Sequence, residues 1–165
     1  MAGARTFEIA SELAEDGRVV LAHAATWAGV DDELRPLQRM TAGPFRGRSL
    51  FEARTGEPLF RSWLLLGGIL PVDFDHLRFE RLDPDSGFVE VSTMASISEW
   101  RHERRVTDLP GGGCRVVDRL SFRPRLPGTG AALARLVALV FRHRHRRLRA
   151  RYGDASAPRA APSAP

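Results

Sequence analysis

The chain has 165 residues, 43% hydrophobic and 27% charged, as expected for one soluble domain with a sizeable core. All 25 basic residues are arginine, against 20 acids, for a formal net charge of +5. A single cysteine, Cys114, excludes an internal disulfide and any cysteine-rich metal site, and suits a reducing cytoplasm.

The first residues carry no apolar core of a secretory signal, and the apolar run at 63–66 is far short of the ~20 residues of a membrane span. Residues 6–13 alternate Phe7, Ile9 and Leu13 with Glu8 and Glu12, which predicts a first strand. After the turn signal Glu15-Asp16-Gly17, Val19, Val20, His23, Ala24 and Trp27 recur at helical spacing. A second short helix is expected over 30–37 behind Gly29, limited by Pro36. Residues 40–57, rich in Gly, Pro and Arg, read as loops around a weak strand. The text then turns β-like: 59–70, with a bulge or sharp bend at Gly67-Gly68, then 77–82, 88–97, 99–107 and 114–124. The turns at 83–87 and 110–113 make these an antiparallel meander. A long apolar-faced helix over 129–152 closes the domain, 1–152, and the Ala, Pro and Ser of 153–165 read as a disordered tail.

This order predicts an α+β fold: a curved antiparallel sheet wrapped around one long C-terminal helix, with two short helices after the first strand and a cavity between sheet and helix. The chain resembles the helix-grip superfamily of START domains, birch-pollen-type allergens and bacterial polyketide cyclases, and within it a bacterial subgroup of ligand-binding proteins. The resemblance rests on Glu33-Leu-Arg-Pro36, Ser62-Trp-Leu-Leu-Leu66, Leu70-Pro-Val-Asp73, Trp100-Arg-His-Glu-Arg104, Asp118-Arg-Leu-Ser-Phe122 and Phe141-Arg-His-Arg-His-Arg-Arg-Leu148. It implies the fold and a small hydrophobic or amphipathic ligand, but not which one, because fold does not fix function.

Alternate residues of a strand face the cavity. On 114–124, Asp118 shares its parity with Cys114, Val116, Leu120 and Phe122; on 99–107, His102 and Arg104 share theirs with Trp100 and Val106. On 88–97, Glu90 goes inward with Phe88, although Val89 and Val91 make an equally apolar set. At 100° per residue, Leu133, Val137, Val140, Arg144, Leu148 and Arg151 form the gripping stripe of the helix, flanked by Leu136 and Phe141. Strands and helix converge on one inward cluster: Glu90, His102, Arg104, Asp118 and Arg144. Two readings compete for it. In one, Arg104 and Arg144 meet an anionic or carbonyl group of a ligand, oriented by Asp118 and Glu90, in a pocket lined by Trp63, Leu65, Phe79, Trp100 and Phe122. In the other, the cluster is a self-satisfied ion network pinning helix to sheet.

Other constellations are weaker. The helix holds seven arginines and no acid, which leaves the rest of the chain at −2 against a total of +5. Its outer face bears no interleaved aromatics, so nucleic acid is not expected, and at most a weak contact with an anionic membrane is. His143 and His145, two apart, cannot share a face to bind a metal. Gly128-Thr-Gly130 lacks the rest of a dinucleotide fingerprint, and no cofactor is expected. The alternative to a binder is a cyclase-like or hydrolytic enzyme with His102 as general base, which requires His102 to be open to the cavity mouth.

Overall fold

A computed structural model describes residues 3–155. Strand β1 (Arg5–Leu13) leads through an Asp16-capped turn into α1 (Gly17–Ala24) and α2 (Trp27–Leu34). The short β2 (Gln38–Met40) and two 3-10 turns precede a meander of β3 (Pro58–Leu66), β4 (Leu70–Asp83), β5 (Gly87–Met94), β6 (Ile97–Asp108) and β7 (Cys114–Pro124), and α3 (Gly130–Tyr152) closes the chain. The seven strands form one antiparallel sheet in the order β1-β7-β6-β5-β4-β3-β2, curled around α3. This is the expected α+β helix-grip architecture.

Local chemistry explains where the elements begin and end. Trp27, which spacing alone attached to the first helix, opens the second, because the Thr26 hydroxyl accepts from Gly29 N–H (3.0 Å) as an N-cap. The second helix therefore ends at Leu34, short of Pro36, rather than running to residue 37. Gly67 and Gly68, at φ +59° and +80°, form the turn of a β3–β4 hairpin, and β4 starts at Leu70 instead of 77. The expected strand over 88–97 breaks at Ala95-Ser96, whose backbone N–H groups donate to the Asp73 carboxylate (2.8 and 3.3 Å). The tail expected from 153 begins by pairing with the sheet: Gly153 O accepts from Ala14 N–H and Ala155 N–H donates to Glu12 O. Residues 156–165 lie outside the described part.

The interior holds two apolar clusters. Leu13, Val20, Leu21, Trp27, Phe79, Phe88, Val106, Val116 and Leu148 form one. Met94, Ile97, Trp100, Leu120, Phe122, Val137 and Phe141 form the other. Along β5, β6, β7 and α3 the chain passes from one cluster to the other through charged residues, so a polar belt crosses the core. Helix α3 packs on β1, α2 and β7 rather than on β3 and β4. No helix among the described residues is long and apolar enough to cross a membrane.

Candidate functional site: a polar belt between two apolar cores

Strand alternation and the α3 stripe place the belt. Ile9 of β1 pairs with Asp118 of β7, Asp118 with Arg104 of β6, and His102 of β6 with Glu90 of β5. Arg104 is fully buried. Its Nε and Nη2 donate to Asp118 (2.8 and 2.7 Å), and its Nη1 and Nη2 donate to Glu33 (2.6 and 2.9 Å). Arg144 Nε donates to the same Glu33 carboxylate (2.8 Å), while its guanidinium lies over the Phe141 ring. Asp118 accepts two further bonds, from His102 Nε2 (2.9 Å) and His145 Nε2 (3.0 Å). With that tautomer, His145 Nδ1 accepts from the Ser11 hydroxyl (2.8 Å), whose oxygen accepts from Arg149 (2.7 Å). This half of the belt is closed on itself.

The electrostatics follow from burial opposed by partners. Burial pushes the Asp118 carboxyl up, but Arg104 and His102 outweigh it and hold the group well below the usual carboxylate range. Glu33 is lowered in the same way by Arg104 and Arg144. Burial pushes His102 down, yet Asp118 and the Glu90 carboxylate 3.6 Å from its Nδ1 raise it above the ordinary histidine value. Arg104, Arg144 and His102, whose protonated form these carboxylates favour, thus face Asp118, Glu33 and Glu90.

The other end of the belt is buried but not closed by hydrogen bonds. Asp75 of β4, 2% exposed, is pushed well above the usual range by burial and by the charge of Glu90. Glu90 is raised by burial but more than lowered by His102 and by bonds from Asp75 and Ser92. Of the two carboxyls Asp75 is the one whose proton is favoured, and its Oδ1 is buried without a partner. Trp100 Nε1 is likewise buried and unpartnered. Asp75 stands opposite Met94 and Trp100 opposite Ser92, so the two orphaned atoms belong to inner-face side chains one alternation apart on either side of β5. Trp100 packs in one cluster with Met94, Val137 and Phe141, and Asp75 is paired in register with Met94.

The structure brings Glu90, His102, Arg104, Asp118 and Arg144 together, as the sequence reading expected. It does not gather the expected pocket lining. Trp63 alternates with buried Ser62 and faces outward at 42% exposure, edge-on to Phe74. Leu65 lines a surface cleft of about 620 Å³ beside β2. Phe79 packs in the first apolar cluster, and Trp100 and Phe122 in the second. Four belt members were missed: Ser11, Glu33, Asp75 and His145. The signal for His145 was present, since Val137, Phe141, His145 and Leu148 are the buried positions of α3; the true stripe is turned from the expected one, leaving Leu136 at 52% exposure. His143 instead donates from Nε2 to Arg35 O (2.7 Å). Cys114 is a packed thiol, pushed up to about 11 by burial.

The sequence matches a family described as a domain of unknown function, DUF8410, over residues 11–152. The chain belongs to the DUF8410 family. No curated protein matches this DUF8410 chain. Its fold is shared with protein CV1439 from Chromobacterium violaceum (13% identity, 90% of this chain and 97% of that one, TM-score 0.68). The ZhuI aromatase/cyclase from Streptomyces sp. R1128 is similar (14%, 90% and 93%, TM-score 0.67), as is a START superfamily protein from Mycobacterium smegmatis (10%, 91% and 97%, TM-score 0.65). These likenesses establish the helix-grip fold of this DUF8410 member.

Proposed function

We propose that the protein binds a small amphipathic molecule in the cytoplasm, between the first half of α3 and the inner face of β4–β6, and holds it by a hydroxyl group. The observation that carries this reading is the pair of buried, unpartnered polar atoms at the Asp75–Trp100 end of the belt. Native interiors satisfy nearly all such atoms, so an orphaned acceptor and an orphaned donor on neighbouring inner-face positions across β5 mark a missing group. Protonated Asp75 offers Oδ1 as an acceptor, and Trp100 offers an indole N–H. A hydroxyl answers both, donating to the first and accepting from the second. A carboxylate does not, because the charge of Glu90 opposes it. The arginines first assigned to the ligand are committed to Glu33 and Asp118.

The fold supports the same reading. It is shared with a START superfamily protein and an aromatase/cyclase. Leu136 and Leu139, about half exposed, lie on the flank of α3 that continues to His143 and Arg147, whose side chains meet α2 at Arg35 O and Asp32 O. That flank offers apolar surface for the body of a ligand. His102, 2% exposed and tied to Asp118, favours binding over general-base catalysis.

The test is displacement of a fluorescent apolar probe by a long-chain alcohol and by the fatty acid of equal length. The alcohol is expected to bind more tightly, and Trp100→Phe to weaken it about tenfold, the loss of roughly one hydrogen bond. Preference for the fatty acid, or no displacement by either, would contradict the reading.

A further inference from the structure

The β3–β4 hairpin carries a feature that an interior ligand site does not need. Its tip exposes Leu66 (53%), Ile69 (86%), Leu70 (59%) and Val72 (55%), with Trp63 (42%) three residues back along β3. Scattered single apolar side chains are normal on a protein surface, but five on one hairpin are a patch with a purpose. Basic residues predominate around it, although Asp73 follows Val72 on β4 and Asp31 faces Arg39. Residues 58–72 contain no acid, nor do residues 34–51, which include β2, the partner of β3. These two stretches hold Arg35, Arg39, Arg46, Arg48 and Arg61. Arg39 pairs with Asp31 and Arg48 with Glu52, whereas Arg35, Arg46 and Arg61 have no carboxylate partner among the described residues, Arg61 lying over the Phe74 ring. A cleft of about 310 Å³ at the foot of the tip is lined by Arg35, Pro36, Gln38, Arg39, Gly67 and Gly68.

We infer that this hairpin is a membrane-docking element: its aliphatic tip enters the acyl boundary of an anionic lipid surface while Arg35, Arg39 and Arg61 meet lipid phosphates. Three physical points favour a bilayer over a protein partner. Apolar side chains flanked by Arg35, by Arg39 paired with Asp31 and by Arg61 over the Phe74 ring match, in order of depth, the acyl region and the phosphate layer. Trp63 lies three residues from Leu66, about 10 Å at ~3.3 Å per residue, which is the depth to which interfacial elements insert and where tryptophan prefers to sit. The turn also carries no loose N–H groups into the apolar phase. Gly67 N–H donates to Leu37 O (2.9 Å), Gly68 N–H to Leu65 O (3.1 Å) and Ile69 N–H to Leu66 O (3.2 Å). The basic helix α3 is the poorer candidate, because four of its seven arginines, Arg144, Arg147, Arg149 and Arg151, are held by Glu33, Asp32 O, Ser11 and the Asp32 carboxylate.

Sedimentation with vesicles tests the inference, using phosphatidylcholine alone and phosphatidylcholine mixed with phosphatidylglycerol. Binding is expected only to the mixed vesicles and to fall with salt. Ile69→Asp should weaken it at least about tenfold and Arg35→Glu severalfold, both with unchanged thermal melting, because both side chains are exposed. The α3 variant Arg142→Glu/Arg146→Glu should bind as wild type. Full binding by Ile69→Asp, or loss in the α3 variant alone, would overturn the inference. So would a concentration-dependent dimer that Ile69→Asp dissolves in a protein that binds no vesicles.

Discussion

Taking a guanidinium fully out of water costs several kcal/mol unless its donors are answered by charge, and Arg104 is answered by two carboxylates through four bonds. Removing one partner leaves the other charges stranded. Asp118→Asn should therefore cost about 3–5 kcal/mol in urea unfolding. The exposed pair Arg119–Glu8, at a similar separation of 2.6 Å in the same sheet, makes the contrast: Glu8→Gln should cost under about 1 kcal/mol. Equal losses would mean that burial does not govern this network. The pH dependence follows from the same residues. Asp118, Glu33 and Glu90 are lowered in the fold, so their contribution is present above about pH 4 and is lost as pH falls through their folded values. Asp75 and His102 are raised, so their contributions are full below about pH 4 and 6.5 respectively and are lost as pH rises through the folded values. Stability should peak in mildly acid solution, between about pH 4 and 6.5, and Asp75→Asn should flatten the decline on the alkaline side. A wild-type optimum above pH 8 in thermal melts would contradict these assignments.

Helix α2 matters out of proportion to its eight residues, because it delivers Glu33 to the belt. It lies so close to α1 that a Cβ on Gly29 would fall 1.9 Å from His23 O, so the two helices could not keep their spacing. Gly29→Ala should lower stability by about 1–3 kcal/mol in thermal melts and loosen the Glu33–Arg104 bond; an unchanged melting temperature would count against that packing. Strand parity was legible in the sequence because each strand alternates, and it correctly brought Glu90, His102, Arg104 and Asp118 to one face. Boundaries were less legible. Thr26 could not be seen as a cap, nor Gly67-Gly68 as the turn of a two-strand hairpin, from apolar spacing alone. Glu33 was hidden because it follows Asp31 and Asp32 in an acidic run that reads as a solvated face. Asp75 was hidden because β4 was expected to begin at 77. The turned stripe of α3 left His145 off the expected gripping face.

At the scale of the molecule, the strand order and the long closing helix were readable because turn chemistry and β-like runs recur at even spacing. Whether the inward charges serve a ligand or each other was not, since that depends on which carboxylate reaches which guanidinium across 71 residues, as between Glu33 and Arg104. The structure divides the belt. Its Arg104 half is a closed network that pins α3 to the sheet, and its Asp75–Trp100 end retains two unanswered polar atoms. Binding of a hydroxyl-bearing amphipath at that end is the central claim. Its most direct test is native mass spectrometry of the protein purified from its own host, before and after denaturation. A neutral molecule with a hydroxyl group should be released, and should be absent when Asp75→Asn/Trp100→Phe is purified in the same way. An empty wild-type protein that stays unliganded and equally stable in lipid and metabolite extracts would contradict the claim.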